Sequence, residues 1–185
     1  MINISTPASV ELGWQQLVND AARSCNQKLD EDLESYLVFA LIRFTRQTNI
    51  AGSVFALEYL ESVDKSGQVK YEHLRDLGDK CLLCSGLFPQ SSQNKMVNLD
   101  YYINIGISSY SQISTLFHKG FAKLYDRLAS CFVLLTDILH SMQELDGIPV
   151  MSQKEKYSFW LNFNSQYAKQ SLKEYYGVEP LRPMK

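Results

Sequence analysis

The chain has 185 residues, with 18 Lys+Arg against 20 Asp+Glu and a formal net charge of −2. Hydrophobic residues make up 45% and charged residues 21%, with Gly 9 and Pro 5, a balance that excludes low-complexity, collagenous and disordered classes. The near-zero charge argues against a general nucleic-acid binder, and this length suits one domain that buries roughly 70% of its unfolded surface.

Met1 to Pro7 has no basic region and no apolar core, so no secretory signal is expected there. Thr6-Pro7 suits a helix start, and Val10, Trp14, Leu17 and Ala21 continue one stripe to about Cys25. Asp30-Glu31-Asp32 opens a second helix, with Arg43 and Arg46 near its end. That charge order complements the helix dipole. Its run Tyr36 to Ile42 is the longest apolar stretch, far below the about 20 residues that span a bilayer. It reads as a buried helix at the centre of a bundle. Asn49 to Ser53 is a break, residues 54–66 a third helix, and residues 68–87 a fourth that Pro89 stops. Residues 90–98 are polar and read as an exposed loop.

Residues 99–117 are rich in Ile and Tyr, which favour a strand locally. Yet Leu99, Ile103, Gly106, Tyr110, Ile113 and Phe117 step by four and three, which predicts a helix. Gly106 and Ser109 would let a neighbouring helix approach closely. Phe121 to Met142 shows the strongest seam, and Leu128, Phe132 and Leu135 are expected in it. Asp146 to Pro149 is a turn. Ser152 and Glu155 match a capping box that opens a last helix to about Tyr176, and Gly177 ends it. Residues 177–185 read as a flexible tail. The fold class is therefore all-α, a single-domain helical bundle of six or seven helices over 1–185.

Four cysteines are present: Cys25, Cys81, Cys84 and Cys131. Cys81-Leu82-Leu83-Cys84 places two thiols on one helix face, a spacing that can serve redox chemistry or metal binding. A structural zinc site needs a second ligand pair, and none exists in this sequence. Late in an apolar helix the thiols are expected to be reduced, buried and metal-free. Asp137-Ile138-Leu139-His140, with Glu144 one turn on, resembles half of a di-iron pattern. The second half is missing, because Thr115 precedes His118 and Lys70 precedes His73 at the required step. A local Asp–His pair with a protonated imidazole near a helix C-terminus is the plainer reading. There is no nucleophile elbow and no phosphate loop. No catalytic residue, metal site or cofactor is expected.

Aromatic residues crowd the last helix, where Trp160, Phe163 and Tyr167 share one face. They either dock into the protein's own core or meet another subunit. The stretch Gly78-Asp79, Gly86-Leu87-Phe88-Pro89, Tyr101-Tyr102, Gly106, Ser109-Tyr110 resembles a motif of uncharacterised bacterial all-helical proteins. In that motif a Gly-Leu-Phe-Pro helix end is followed by Tyr-Tyr, Gly and Ala-Tyr, and Ser109 stands here in place of the Ala. The resemblance covers about 35 residues and implies a bacterial cytosolic origin with no established activity. The leading functional expectation is a cytoplasmic assembly module that self-associates as a dimer, with Trp160, Phe163 and Tyr167 as its interface and no nucleic acid or membrane partner. The alternatives are a small-ligand pocket or enzyme cavity formed by Tyr101, Tyr102 and Tyr110, and a secreted bacterial factor acting on host proteins.

Overall fold

Apolar residues at steps of three and four dominate this chain, and in the structure those stretches are helical. The computed structural model describes residues 7–45, 54–88, 98–117, 120–145, 147 and 151–182. Among the described residues there are nine α-helices and no strand. They are α1 (Pro7–Ser24), α2 (Glu31–Thr45), α3 (Phe55–Glu61), α4 (Gly67–Leu87) and α5 (Leu99–Leu116). Then follow α6 (Gly120–Ser130), α7 (Phe132–Leu145), α8 (Gln153–Phe163) and α9 (Gln166–Tyr176). The break expected at 49–53, the loop expected at 90–98 apart from Asn98, and most of the turn expected at 146–149 lie outside the described residues.

Nine helices replace the expected six or seven because two long segments divide. The strongest seam is interrupted at Cys131, although Cys131 N–H still donates to Arg127 O and Leu135 N–H to Cys131 O. Just before the break the Ser130 hydroxyl donates to Asp126 O at 2.8 Å. Such back-bonding competes for a helix carbonyl. The packing changes across the break: α6 packs on α5 and α2, while α7 packs on α4, α1 and α9. The last segment divides at Asn164-Ser165. Asn164 adopts the left-handed conformation (φ 58°) and closes α8, and the Ser165 hydroxyl caps α9 by accepting from Ala168 N–H at 3.0 Å. Upstream, the Ser152–Glu155 capping box forms in both directions. Downstream, Gly177 ends α9 at φ 71°.

One continuous hydrophobic core joins residues from all nine helices. Its centre is α7 against the second half of α4, not α2. Phe132, Leu135, Ile138 and Leu139 of α7, with Leu128 of α6, are fully buried, whereas Phe39 in the middle of α2 is 56% exposed. Gly106 explains how α5 fits: an added Cβ would collide with the Phe132 ring and reach Cys81 Cβ at 3.0 Å. Residues 177–182 of the segment expected as a tail run back along the last two helices. Tyr157 O–H donates to Leu181 O at 2.9 Å, and the Arg182 guanidinium lies 5.4 Å from the Trp160 ring centre. No helix among the described residues is long and apolar enough to cross a membrane.

Candidate functional site

Tyr36 and Arg43 lie seven residues apart, two turns along one face of α2, and both reach a single carboxylate on α4. Tyr36 O–H donates to Asp79 Oδ1 at 2.7 Å, and the Arg43 guanidinium pairs with Asp79 Oδ2. From α5, Tyr110 O–H donates to the same Oδ1 at 2.7 Å. Asp79 is buried. A buried carboxylate needs such company, because leaving it unpaired costs several kcal/mol. Tyr36 stacks edge-on against Tyr110 and Tyr125, and the Tyr71 and Tyr125 hydroxyls are 3.0 Å apart. Burial pushes the Tyr36, Tyr110 and Tyr125 phenols up, so all three stay neutral.

The three tyrosines proposed as a ligand cavity are therefore placed as follows. Tyr110 is fully buried, with its hydroxyl spent on Asp79. Tyr101 lies more than two turns away along α5, and its hydroxyl accepts from Ala56 N–H at 2.7 Å, satisfying a free donor in the first turn of α3. Tyr102 is buried and packs edge-on against Phe55 at 5.3 Å. The structure does not bring the three around one space: Tyr101 and Tyr102 anchor α3, and Tyr110 ties α5 to α4.

A second polar cluster sits where α7 meets α1, α8 and α9. Asp137, His140, Ser141 and Glu144 occupy one face of α7 at steps of three, four and seven. Asp137 is buried beneath the start of α9. It accepts from Ser165 O–H at 2.6 Å, Gln166 N–H at 2.9 Å and Tyr167 N–H at 3.3 Å. Burial raises its carboxyl from an ordinary 3.8 to about 6, against the pull of those bonds. His140 is fully buried, and its Nε2–H donates to Ser85 O at 2.8 Å. Its Nδ1 has no hydrogen-bond partner. Burial lowers the imidazole from 6.5 to about 4. The expected protonated His paired with Asp137 is thus corrected: the two groups serve different neighbours, and the ring is neutral at neutral pH.

Glu144 Oε1 accepts from Lys156 Nζ at 2.9 Å and from Tyr167 O–H at 2.5 Å. Lys156 is buried on α8, donates to Ser171 Oγ at 2.6 Å, and lies 5.2 Å from the centre of the Tyr167 ring. Above this group a cleft of about 170 Å³ opens, bordered by Ser24 at the end of α1 and Cys25 just beyond it, Ser141 and Glu144 of α7, and Ser171 and Glu174 of α9. Sequence reasoning missed Lys156 and Tyr167 as partners of Glu144, and Ser171 as a partner of Lys156. The capping box placed Lys156 in a first helical turn, but nothing local indicated what lay opposite.

Of the residues proposed for an interface, Trp160 and Tyr167 are each 4% exposed, and Phe163 is half-buried against Phe159. The chain's own core covers most of this aromatic face. A row of large exposed apolar residues lies on a different helix. Val54, Leu57, Leu60 and Val63, spaced by three along α3 and its ends, are each more than half exposed. Phe55 and Tyr59 on the opposite side of α3 hold it to the core. Cys81 and Cys84 are buried and unbridged, and burial raises the Cys81 thiol well above its ordinary value. Among the described residues, no group of three or more His, Cys, Asp or Glu side chains is arranged to hold a metal ion. The chain matches no family model, no curated protein and no solved structure.

Proposed function

We propose that the chain is a helical association module that pairs with a second copy of itself through the outer face of α3. The observation that carries this reading is the row Val54, Leu57, Leu60 and Val63, which leaves four large aliphatic side chains in water along one short helix and the residues that flank it. Contiguous exposed apolar surface is costly and marks a contact site. Val69, at the start of α4, is 61% exposed and extends the apolar character along the chain. Glu61, Asp64 and Lys70 flank these residues in the sequence, so charges of both signs accompany the row and a second copy is not repelled. A two-fold pairing uses the same patch twice and is the commonest closed arrangement. The aromatic residues of α8 and α9 then support the fold that presents the row.

Sedimentation at micromolar concentration tests the reading, with the double variant Leu57→Ser/Leu60→Ser as comparison. The expected result is a dimer that becomes a folded monomer in the variant, with helical circular dichroism retained. A monomeric wild-type chain, or a dimer unaffected by the double variant, overturns it.

A further inference from the structure

The cleft between α1, α7 and α9 has a one-sided hydrogen-bonding inventory. Ser24 has one proton, and it goes to Ala21 O at 2.8 Å. The contact between the Ser24 and Ser141 hydroxyls must then run from Ser141 to Ser24, which leaves both lone pairs of Ser141 free to accept. Tyr167 spends its proton on Glu144, so its oxygen can only accept. Glu144 uses Oε1 for Lys156 and Tyr167, and Oε2 remains as an acceptor. Glu174 takes one bond from the Gln170 amide at 2.9 Å and keeps the rest of its carboxylate. Against these acceptors the cleft offers two donors: the hydroxyl proton of Ser171, whose oxygen accepts from Lys156, and the second amide proton of Gln170.

The charge is one-sided as well. The Lys156 ammonium is matched by Glu144, and it already covers the Tyr167 ring. Glu174, at the exposed rim, has no cation within the cleft to match it. Burial raises the Cys25 thiol to about 11, so that wall adds a neutral sulfur beside the aliphatic Leu145. A ligand that fits brings several N–H donors, one positive charge and a short apolar stem. At roughly 30 Å³ per water, about 170 Å³ holds the equivalent of five or six waters, the scale of a short aliphatic amine. The adjoining groove is bordered by Lys169 and Lys173, whose ammonium groups sit on Glu179 at 3.4 and 2.7 Å. A second cation projecting there would meet like charge, which selects against long polyamines.

We propose that this cleft binds a small primary alkylammonium, with the ammonium donating to Glu144 Oε2, Ser141 Oγ and the Glu174 carboxylate and the stem against Cys25 and Leu145. Calorimetric titration of the full chain with n-butylammonium chloride tests the proposal, with tetramethylammonium chloride and 1-butanol as comparisons. Tetramethylammonium keeps the charge without N–H donors, and 1-butanol keeps the stem without the charge. The expected result is saturable binding of n-butylammonium alone, weakened about ten-fold by Glu174→Gln, the loss of one charge-assisted hydrogen bond. Ser141→Ala should weaken it as well. Glu174 is exposed, so its variant retains the fold. No saturable binding of n-butylammonium, equal binding of tetramethylammonium or 1-butanol, or unchanged affinity in both variants overturns the proposal.

Discussion

Asp137 and His140 lie one turn apart on α7, and burial displaces their protonation in opposite directions. Asp137 rises from 3.8 to about 6, so its contribution to stability is present below about pH 4 and is lost as pH rises through about 6. His140 falls from 6.5 to about 4, so its contribution is present above about pH 6.5 and is lost as pH falls through about 4. At about 1.4 kcal/mol for each tenfold change in a protonation equilibrium, each displacement corresponds to about 3 kcal/mol. Over pH 4 to 6.5 the two slopes oppose and nearly cancel. Asp137→Asn removes one arm, and the stability of that variant should rise by about 3 kcal/mol more than wild type between pH 4 and 6.5. His140→Gln removes the other, and its stability should fall by a similar amount relative to wild type as pH rises from 4 to 6. Urea unfolding at half-unit pH steps, followed by circular dichroism, gives each profile. Subtracting the wild-type curve removes the contribution of the other carboxylates. Both variants will also be offset at every pH, since Asp137 caps α9 and His140 donates to Ser85 O. The slope, not the offset, carries the argument. Variant curves parallel to wild type would show that neither group is held at the protonation described.

Three further outcomes follow from the packing. Leu135 is fully buried, and Leu135→Ala should cost about 2–5 kcal/mol in urea unfolding, because a cavity remains where the side chain was. Gly78→Ala should lower the melting temperature although alanine favours helix by about 1 kcal/mol. The new Cβ would lie 2.5 Å from Tyr110 Cε1, on a ring that Asp79 holds in place, and overpacking costs about 1–3 kcal/mol. Under native conditions a thiol reagent should modify Cys131 first, since it alone of the four is half-exposed, and rapid reaction of two or more thiols per chain would contradict the burial of Cys25, Cys81 and Cys84.

Where a helix depends on its own residues, it was legible. The four-and-three steps through Ile103, Gly106 and Tyr110 outweighed the strand preference of their neighbours, and α5 is a helix. The Ser152–Glu155 box and the Gly177 stop act within one turn and appear where their residues stand. The division at Cys131 was hidden because no Gly or Pro marks it and the apolar spacing runs through unbroken. Asn164-Ser165 does carry a stop and a start, but the aromatic period from Trp160 to Tyr167 spans both and masks them. The polar clusters were legible only by halves. Spacing puts Tyr36 and Arg43 on one face of α2, yet their partner is 36 residues beyond Arg43 on another helix. Periodicity names the face of a helix, not what lies across from it. The same limit applies to Glu144, whose partners come from α8 and α9.

Asp79 accepts from residues on α2 and α5 while standing on α4, and this shapes how the sequence can change. Removing Asp79 leaves two phenols without this acceptor and the half-buried Arg43 guanidinium without its partner, and removing Arg43 leaves the buried carboxylate without a counter-charge. Each single replacement is therefore costly, while a joint replacement by well-fitted apolar side chains need not be. Substitutions at Tyr36, Arg43, Asp79 and Tyr110 will not add as independent effects. Across 75 positions of chain the four residues act as one heritable character, and variants that keep three of them are the ones to be weeded out first.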